Sequence, residues 1–319
     1  MIFQTASVIG LGTMGHGIAQ MLAIAGMRVS AFDNNTDARE SLHNRIRSNM
    51  LVMQSLGLLD GIDLDDVLSR VIICETEAEA LADSQFVTEA IAEDLLVKQE
   101  FFARCEDIVS EETILASNTS SFPMTSIAAD LNRPERAINT HWFNPPHVIP
   151  VVEIIPGERT SCETTETVLD LFKSIGKHPV HIRKERPGFV LNRLQVALFR
   201  EMLDLIEQGV ISAADLDTAI MGSLAIRWAA TGPMKVGDFG GWDVLAKIYE
   251  VLAPQMRSNH EVPEVLRAMV GRGDYGLKTG KGFFDFTDQE INEITAEKDR
   301  RFMIWSKLFQ ESNQGNSDT

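Results

Sequence analysis

The stretch of sequence that decides the fold is SVIGLGTMG, residues 7–15. An apolar run leads directly into a G-x-G-x-x-G motif, and residues 16–25 continue with the apolar spacing of a helix. A second apolar run, residues 28–32, follows and ends at Asp33. This succession of strand, glycine turn, helix, strand and acid predicts the first βαβ unit of a doubly wound, mostly parallel sheet.

Each glycine of the motif has its own physical role. The first allows a tight turn, the second lets the backbone approach a pyrophosphate, and the third lets helix and strand pack closely. The helix that begins inside the motif presents free N–H groups and the positive end of its dipole to phosphates. Glycine turns without a ligand are common, but here every element stands at the required spacing. We therefore predict a dinucleotide site formed by Gly10, Leu11, Gly12, Thr13, Met14 and Gly15.

The acid at the end of the second strand indicates which dinucleotide binds. Asp33 lies 18 residues after Gly15, where a carboxylate can accept both ribose hydroxyls. A 2′-phosphate would meet its negative charge, and no arginine follows immediately. The sequence therefore predicts NAD as the cofactor, in preference to NADP.

The composition restricts the class of protein. The chain has 319 residues, enough for two domains, and its net charge of −17 argues against nucleic acid or an anionic membrane as a partner. No run of 18 apolar residues is present, and the first strand follows without a signal peptide, so we expect a cytoplasmic protein. The three cysteines match no metal-binding spacing and indicate reduced thiols, so no metal site is predicted.

The character of the chain changes near residue 186. Upstream, short apolar runs alternate with helical segments, and one long helix is expected from Thr36 to about Leu58. Downstream the pattern is almost entirely helical. The sequence predicts an α/β, Rossmann-like, doubly wound domain over residues 1–186 and an all-α domain over residues 187–319.

Charged residues at two places in the first domain are candidates for cofactor binding or catalysis. Glu93 and Lys98 follow the predicted strand 86–90, at the edge where doubly wound sheets bind ligands, so either could contact the cofactor or be a surface charge. Glu153 stands inside an apolar strand, which is costly for a carboxylate unless it is paired. His141, at the end of the neighbouring strand, is its natural partner. The pair could simply join two strands, but beside a dinucleotide fold it predicts a general base for hydroxyl oxidation.

With these motifs in order, the sequence resembles the L-3-hydroxyacyl-CoA dehydrogenase family and its relatives. The resemblance runs from residue 7 to about residue 286. It rests on residues 9–15 (IGLGTMG), 116–121 (ASNTSS), 141–145 (HWFNP), 152–153 (VE), 186–193 (RPGFVLNR), 232–233 (GP) and 276–283 (GLKTGKGF).

The resemblance implies a role for each matching residue. His141 matches the general base and Glu153 the carboxylate that supports it. Ser120 and Asn192 match the groups that hold the reacting oxygen of the substrate. The cofactor-contacting positions match Asp33, Glu93, Lys98, Asn118, Ser120 and Asn144. The resemblance also implies a homodimer formed through the helical domain.

Two departures from the acyl-CoA members concern the substrate. Those members often carry lysines late in the helix that follows the Asp33 position, and these hold CoA phosphates, whereas residues 50–56 here read MLVMQSL. The segment 141–147, HWFNPPH, looks closer to relatives that act on gulonate (the lens λ-crystallin branch included), carnitine or pyridine carboxylates. His147 or Arg227 could meet a substrate carboxylate there, or be a surface residue.

Three hypotheses follow. The leading one is NAD-dependent oxidation of the 3-hydroxyl of an L-3-hydroxyacyl-CoA, such as 3-hydroxybutyryl-CoA, in fatty acid metabolism. The second keeps this chemistry on a small hydroxy acid without CoA. The third is a crystallin-like structural protein on a dehydrogenase scaffold, and the intact catalytic set argues against it.

Overall fold

The computed structural model describes residues 3–314, with side chains described up to residue 312. The first part of the chain forms one eight-stranded sheet with the order β3-β2-β1-β4-β5-β6-β7-β8. Neighbouring strands from β3 across to β6 are parallel, β7 is antiparallel to β6, and β8 is parallel to β7. The strands are β1 (Thr5–Ile9), β2 (Arg28–Phe32), β3 (Val71–Ile73), β4 (Phe86–Glu89), β5 (Ile114–Ser117), β6 (Ala137–Trp142), β7 (Val151–Pro156) and β8 (His178–His181). The predicted doubly wound, mostly parallel sheet is thus confirmed.

Helices accompany this sheet, and the apolar strand residues pack against them in two hydrophobic clusters. Strands 4 to 6 are buried along their whole length, as expected for a sheet covered on both faces. The helices are α1 (Gly15–Ile24), α2 (Thr36–Glu40), α3 (Leu42–Ser55), α4 (Leu64–Ser69), α5 (Glu77–Leu81), α6 (Leu95–Ile108), α7 (Met124–Ile127) and α8 (Cys162–Ser174).

The order of the strands reverses direction at β1, which lies between β2 and β4. At such a switch point the connections leave in opposite directions and open a crevice at the carboxyl ends of the strands. Gly10 follows β1 here with φ +94°, and a Cβ on it would lie 2.4 Å from the carbonyl oxygen of Ala90. The glycine turn is therefore pressed against the end of β4 in a way that only glycine permits.

The helix expected from Thr36 to Leu58 is divided in the structure. Asn35, rather than Thr36, caps α2 by accepting hydrogen bonds from the N–H groups of Asp37 and Ala38. The helix then ends at Ser41, and α3 starts with the next residue. The Ser41 hydroxyl donates to the Asp37 carbonyl, a local bond of the kind that competes with helix continuation.

The described residues from Leu191 onward are mostly helical, as predicted, and those up to Lys298 form a second unit. Contacts divide the chain into one unit up to Val190 together with the chain from Asp299 onward, and another over Leu191–Lys298. The helices are α9 (Leu191–Glu207), α10 (Ala213–Ala219), α11 (Ile226–Thr231), α12 (Pro233–Gly240), α13 (Trp242–Leu252), α14 (Glu264–Arg272) and α15 (Asp288–Gln314). A π-helical segment, Ile220–Ala225, joins α10 to α11.

This grouping differs from the predicted boundaries of 1–186 and 187–319 at the C-terminal end. The last part of α15 groups with the sheet rather than with the helical unit, because Met303 is 2% exposed in the same hydrophobic cluster as Leu22 of α1 and Met53 of α3.

Within residues 3–314, no helix is both long and apolar enough to cross a membrane.

Candidate cofactor and active site

A cavity of about 360 Å³ opens at the switch point of the sheet. Gly10 and Gly12 line it from the glycine turn, Asp33 from the end of β2, and Ala90–Ala92 from the end of β4. A Cβ on Gly12 would meet no atom within 4 Å, so the space above this backbone is open. No side chain caps α1, which leaves its first N–H groups for a ligand. These features fit the pyrophosphate of a dinucleotide.

Asp33 both lines this cavity and holds the turn. Its Oδ2 accepts a hydrogen bond from the Leu11 N–H at 2.6 Å, and its Oδ1 accepts one from the Asn35 N–H at 2.8 Å. Each carboxylate oxygen retains a lone pair for a ribose hydroxyl. Arg39 lies near, but its guanidinium packs on Phe32 and donates to the Asp33 carbonyl oxygen. The carboxylate of Asp33, rather than a cation, therefore lines the cavity, which fits a ribose with two free hydroxyls.

The side chains of His16 and Arg45 hold the backbone of the second glycine of the motif. The Gly12 carbonyl oxygen accepts hydrogen bonds from Nδ1 of His16 at 2.9 Å and from Nη1 of Arg45 at 3.3 Å. Burial lowers the pKa of His16, and the nearby Arg45 charge lowers it further, which favours the neutral ring. Arg45 could not be singled out from sequence because the break at Ser41 changes which face of the following helix meets the turn.

A buried network supports the turn that carries Ser120. Glu93 accepts hydrogen bonds on Oε1 from the Thr119 hydroxyl at 2.7 Å and from the Ser120 N–H at 3.0 Å. Burial opposes ionisation of Glu93, but these bonds and the Lys98 charge outweigh it and lower the pKa of this carboxyl. The Glu93 side chain remains 40% exposed, so it can still reach a ligand.

Lys98 occupies a different position from the one expected. Its ammonium is 1% exposed and lies 2.7 Å from Oε1 of Glu89 and 3.3 Å from Oε2 of Glu93. In this position it supports the Ser120 turn through Glu93 rather than facing the cavity. Glu89, fully buried at the end of β4, also accepts the Ser117 hydroxyl at 2.6 Å. Sequence analysis missed Glu89, although an acid ending an apolar strand beside the switch point was an available signal.

The pair inferred from sequence is formed in the structure. The antiparallel register of β6 and β7 sets His141 directly opposite Glu153. Nδ1 of His141 donates to Oε2 of Glu153 at 2.8 Å, and both side chains are buried. The other ring nitrogen, Nε2, lies 3.1 Å from the Ser120 hydroxyl. Since Nδ1 carries the proton toward the carboxylate, Nε2 is the acceptor.

Aromatic rings enclose this histidine. Phe143 packs edge-on with its centroid 4.7 Å from the imidazole, and Phe189 lies at 5.4 Å. The remaining carboxylate oxygen, Oε1 of Glu153, accepts the Val190 N–H at 3.2 Å. The hydrogen-bonded pair is thus kept from bulk water, where its electrostatic coupling would be weaker.

The other predicted site residues fall into two groups. Asn118 lies beside the dyad, since its Oδ1 accepts the Trp142 N–H at 2.9 Å, and Asn144 is exposed on the turn that follows β6. Asn192 belongs to the first turn of α9, in the second unit, and Arg227 to α11. Roles for Asn144 and Asn192 stay predictions.

Comparison with known proteins gives the class of this protein. Residues 5–186 match the family model for the NAD binding domain of 3-hydroxyacyl-CoA dehydrogenase, and residues 188–286 match that for its C-terminal domain. The chain belongs to the 3-hydroxyacyl-CoA dehydrogenase family, as its sequence motifs predicted. It is an oxidoreductase with an NAD-binding domain, which confirms the predicted cofactor.

Particular relatives narrow the comparison. The chain is 33% identical over 310 residues to 5-formyl-3-hydroxy-2-methylpyridine 4-carboxylate 5-dehydrogenase of Mesorhizobium japonicum, covering 97% of this chain and 99% of that protein. It is 36% identical over 290 residues to a probable 3-hydroxybutyryl-CoA dehydrogenase of Bacillus subtilis, covering 91% and 99%. A crystal structure of the pyridine carboxylate enzyme, described as an NAD⁺-dependent dismutase, has a TM-score of 0.90 at 32% identity and covers 97% of this chain and 99% of that one.

Proposed function

We propose that this protein uses NAD to oxidise the hydroxyl-bearing carbon of a small carboxylic acid that carries no CoA. The observation that supports this chemistry is a chain of hydrogen bonds at the end of β6. The Ser120 hydroxyl lies 3.1 Å from Nε2 of His141, and Nδ1 of His141 lies 2.8 Å from the Glu153 carboxylate. This chain of hydrogen bonds lies on the same carboxyl edge of the sheet as the glycine turn, since β1 and β6 run parallel. A base, its supporting carboxylate and a cofactor fold are what hydroxyl oxidation needs.

The chain's own residues account for the proton in this reaction. Bound NAD supplies the hydride acceptor. His141 takes the substrate's hydroxyl proton on Nε2, while Glu153 stabilises the imidazolium that forms on Nδ1–H. Ser120, which donates to Nε2 in the structure, is close enough to donate to the substrate oxygen instead. The proton therefore leaves the substrate and resides on a ring that is already oriented and charge-compensated.

The choice of a small acid rests on the surface of α3. Its last turns carry no lysine. Residues 56 and 58 just beyond it line a groove together with residues of α15, where Lys307 is accompanied by Glu311. In acyl-CoA relatives this end of the helix is where the resemblance would put lysines for CoA phosphates. The similarity to the pyridine carboxylate enzyme extends over this C-terminal helix, whereas the matching family models end at residue 286.

An acyl-CoA substrate is the second candidate, favoured by the 36% identity to the Bacillus enzyme. NADH formation with 3-hydroxybutyrate, 3-hydroxybutyryl-CoA and a panel of free hydroxy acids distinguishes the two. We expect one of the free acids to be turned over with a kcat/KM above that of the thioester. A thioester preferred by about 100-fold or more over every free acid, about 3 kcal/mol, would reject the small-acid proposal.

We also propose that the protein is a homodimer formed through the second unit. Helices α9, α12 and α13 expose large apolar side chains, Val196 at 68%, Phe239 at 76% and Tyr249 at 70% among them. Within the described part of this unit, Leu203 and Met269 are the large apolar residues that are buried. A monomer seldom leaves this much apolar surface in water, so a second copy of the chain is the expected cover.

A further inference from the structure

A second cavity, of about 520 Å³, lies within the first unit. Its walls come from α1, the end of α3, the segment that leads into β8, and the last part of α15. One side is apolar, formed by Met21, Ile24, Met53, Leu59 and Met303. It shares no lining residue with the dinucleotide cavity. Its volume lies in the range of small-molecule sites.

The polar side chains that line this cavity are basic or neutral. Lys173, Lys177, His147 and His178 line it, with Ser306 and Gln310 from α15. None of its described lining residues is an aspartate or glutamate, in a chain with 46 acidic residues and a net charge of −17. Lys173 already pairs with Asp170 at 2.9 Å, and burial lowers the pKa of His147 to about 4, which leaves its ring neutral at pH 7. Lys177 is therefore the lysine of this cavity that can offer its charge to an anion with an apolar body.

Lys177 is the unusual member of this set. Its side chain is 5% exposed, and its ammonium donates to the carbonyl oxygens of Pro146 at 2.7 Å and Ile149 at 2.8 Å. It also lies 5.2 Å from the centre of the Trp142 ring. No carboxylate among residues 3–312 lies within ion-pair distance of it. Burial lowers the pKa of Lys177 to about 7, as expected for a charge that lacks a counter-charge.

We propose that this cavity binds an amphiphilic monocarboxylate, whose carboxylate pairs with Lys177 and whose hydrocarbon body lies against the methionine-rich wall. An ammonium has three donors, and two are used by the carbonyls, which leaves one for the ligand. A buried cation is normally paired, and the carboxylate supplies the missing charge. Met303, Ser306 and Gln310 lie beyond residue 286, so the site is completed by a segment that the family models do not cover.

Calorimetric titration of the NAD-saturated protein with octanoate tests this proposal, with octanamide as the uncharged probe of the same shape. We expect one octanoate per chain and at least about tenfold weaker binding of octanamide, since a charge-assisted bond contributes about 1.5 kcal/mol or more. Ser306→Trp, which fills the cavity from α15, and Lys177→Met should each weaken octanoate binding by a similar factor. Lys247→Met, an exposed lysine of the second unit, is the matched control.

Lys177→Met could disturb the Pro146–Ile149 turn, because Lys177 donates hydrogen bonds to it. Ser306 donates none to that turn, so Ser306→Trp tests the cavity independently. Octanoate that still binds Ser306→Trp with wild-type affinity lies in the active-site cleft, and the proposal is then wrong. Equal affinity for octanoate and octanamide, or no binding of octanoate at millimolar concentration, would also overturn it.

Discussion

His141 lies between two oxygen-bearing side chains, and each contact limits what the ring can do. The Glu153 carboxylate fixes the proton on Nδ1, and the Ser120 hydroxyl marks the direction from which a substrate oxygen can approach Nε2. Because the rings of Phe143 and Phe189 enclose the imidazole, little water competes for that nitrogen. The proposed roles of base and support thus belong to the pair rather than to either residue alone.

Substitutions of this pair give the first prediction. His141→Ala and Glu153→Gln should each lower kcat by about 10²-fold or more, since general base catalysis contributes about 10²–10⁴-fold. The double variant should lose much less than the product of the two, because the residues act as a unit. Steady-state kcat and NAD affinity, measured for all three variants, check this. Near-normal turnover of His141→Ala would contradict the mechanism, and changed NAD affinity would place the defect in the cofactor site.

Some of these side-chain positions could be predicted from the sequence and others could not. Asp33 and the His141–Glu153 pair could be predicted, because spacing and the pleat of two adjacent strands leave little choice of position. Lys98 was expected either to contact the cofactor or to be a surface charge. It is instead buried beside Glu93, since a sequence does not say which way a long side chain turns. Glu89 was missed because its partners, Lys98 and Ser117, come from two other elements.

Among the elements, the glycine turn with α1 has the strictest geometry. A Cβ on Gly15 would lie 1.7 Å from the Gly10 carbonyl oxygen, whereas a Cβ on Gly12 would meet nothing within 4 Å. Two glycines of one motif are therefore constrained for different reasons. Gly15 is required because the turn packs closely on its own helix. Gly12 is required because a side chain there would occupy the open space above the turn, where a ligand could bind.

This contrast predicts opposite phenotypes for two alanine substitutions. Gly15→Ala should lower the midpoint of thermal unfolding, because overpacking of this kind costs about 1–3 kcal/mol. Gly12→Ala should unfold like the wild type but bind NAD more weakly, because its methyl group occupies the approach to the pyrophosphate. Thermal scans and NAD titrations of both variants test the assignment. A Gly12→Ala variant with unchanged NAD affinity would show that the cofactor does not lie over this backbone.

The elements that sequence reasoning misjudged share one cause. The helix from Thr36 was predicted as continuous, whereas in the structure it is divided at Ser41, whose hydroxyl bonds to the Asp37 carbonyl. The alternation of strands and helices is a local signal and was read correctly. By contrast, the partner of an amphipathic helix such as α15 is a long-range property, so the sequence could not show that the end of this helix groups with the sheet.

For the whole molecule, one buried group gives the stability a pH dependence. The pKa of Lys177 is about 7 in the folded protein, against 10.5 as its ordinary value. Between these pH values the unfolded chain binds one proton more, so this group raises the unfolding free energy as pH increases. The slope is at most about 1.4 kcal/mol per pH unit. We expect Lys177→Met to show a correspondingly flatter curve between pH 7.5 and 9 in urea unfolding. Parallel curves would mean that Lys177 titrates near its ordinary value.

The proposed dimer is also tested on the whole molecule. Light scattering on a sizing column should give twice the chain mass of 35.4 kDa. Val196→Asp, on α9, should shift the protein toward the monomer, because it sets a charge on a face that the partner would bury. Leu51→Asp on α3, equally apolar and 55% exposed, is the control and should stay dimeric. A wild-type protein that is monomeric in this measurement would contradict the proposed homodimer.

The return of α15 to the first unit affects how the protein is made. Met303 belongs to the same hydrophobic cluster as Val8 and Leu22, although nearly the whole chain separates them in sequence. During translation, the ribosome releases the sheet and then the helical unit before it releases the last contribution to the first core. The nascent sheet therefore lacks part of its packing until the ribosome has released Met303. Stop codons or fusions placed just before residue 299 would then harm the cofactor-binding half of the protein, far away in sequence.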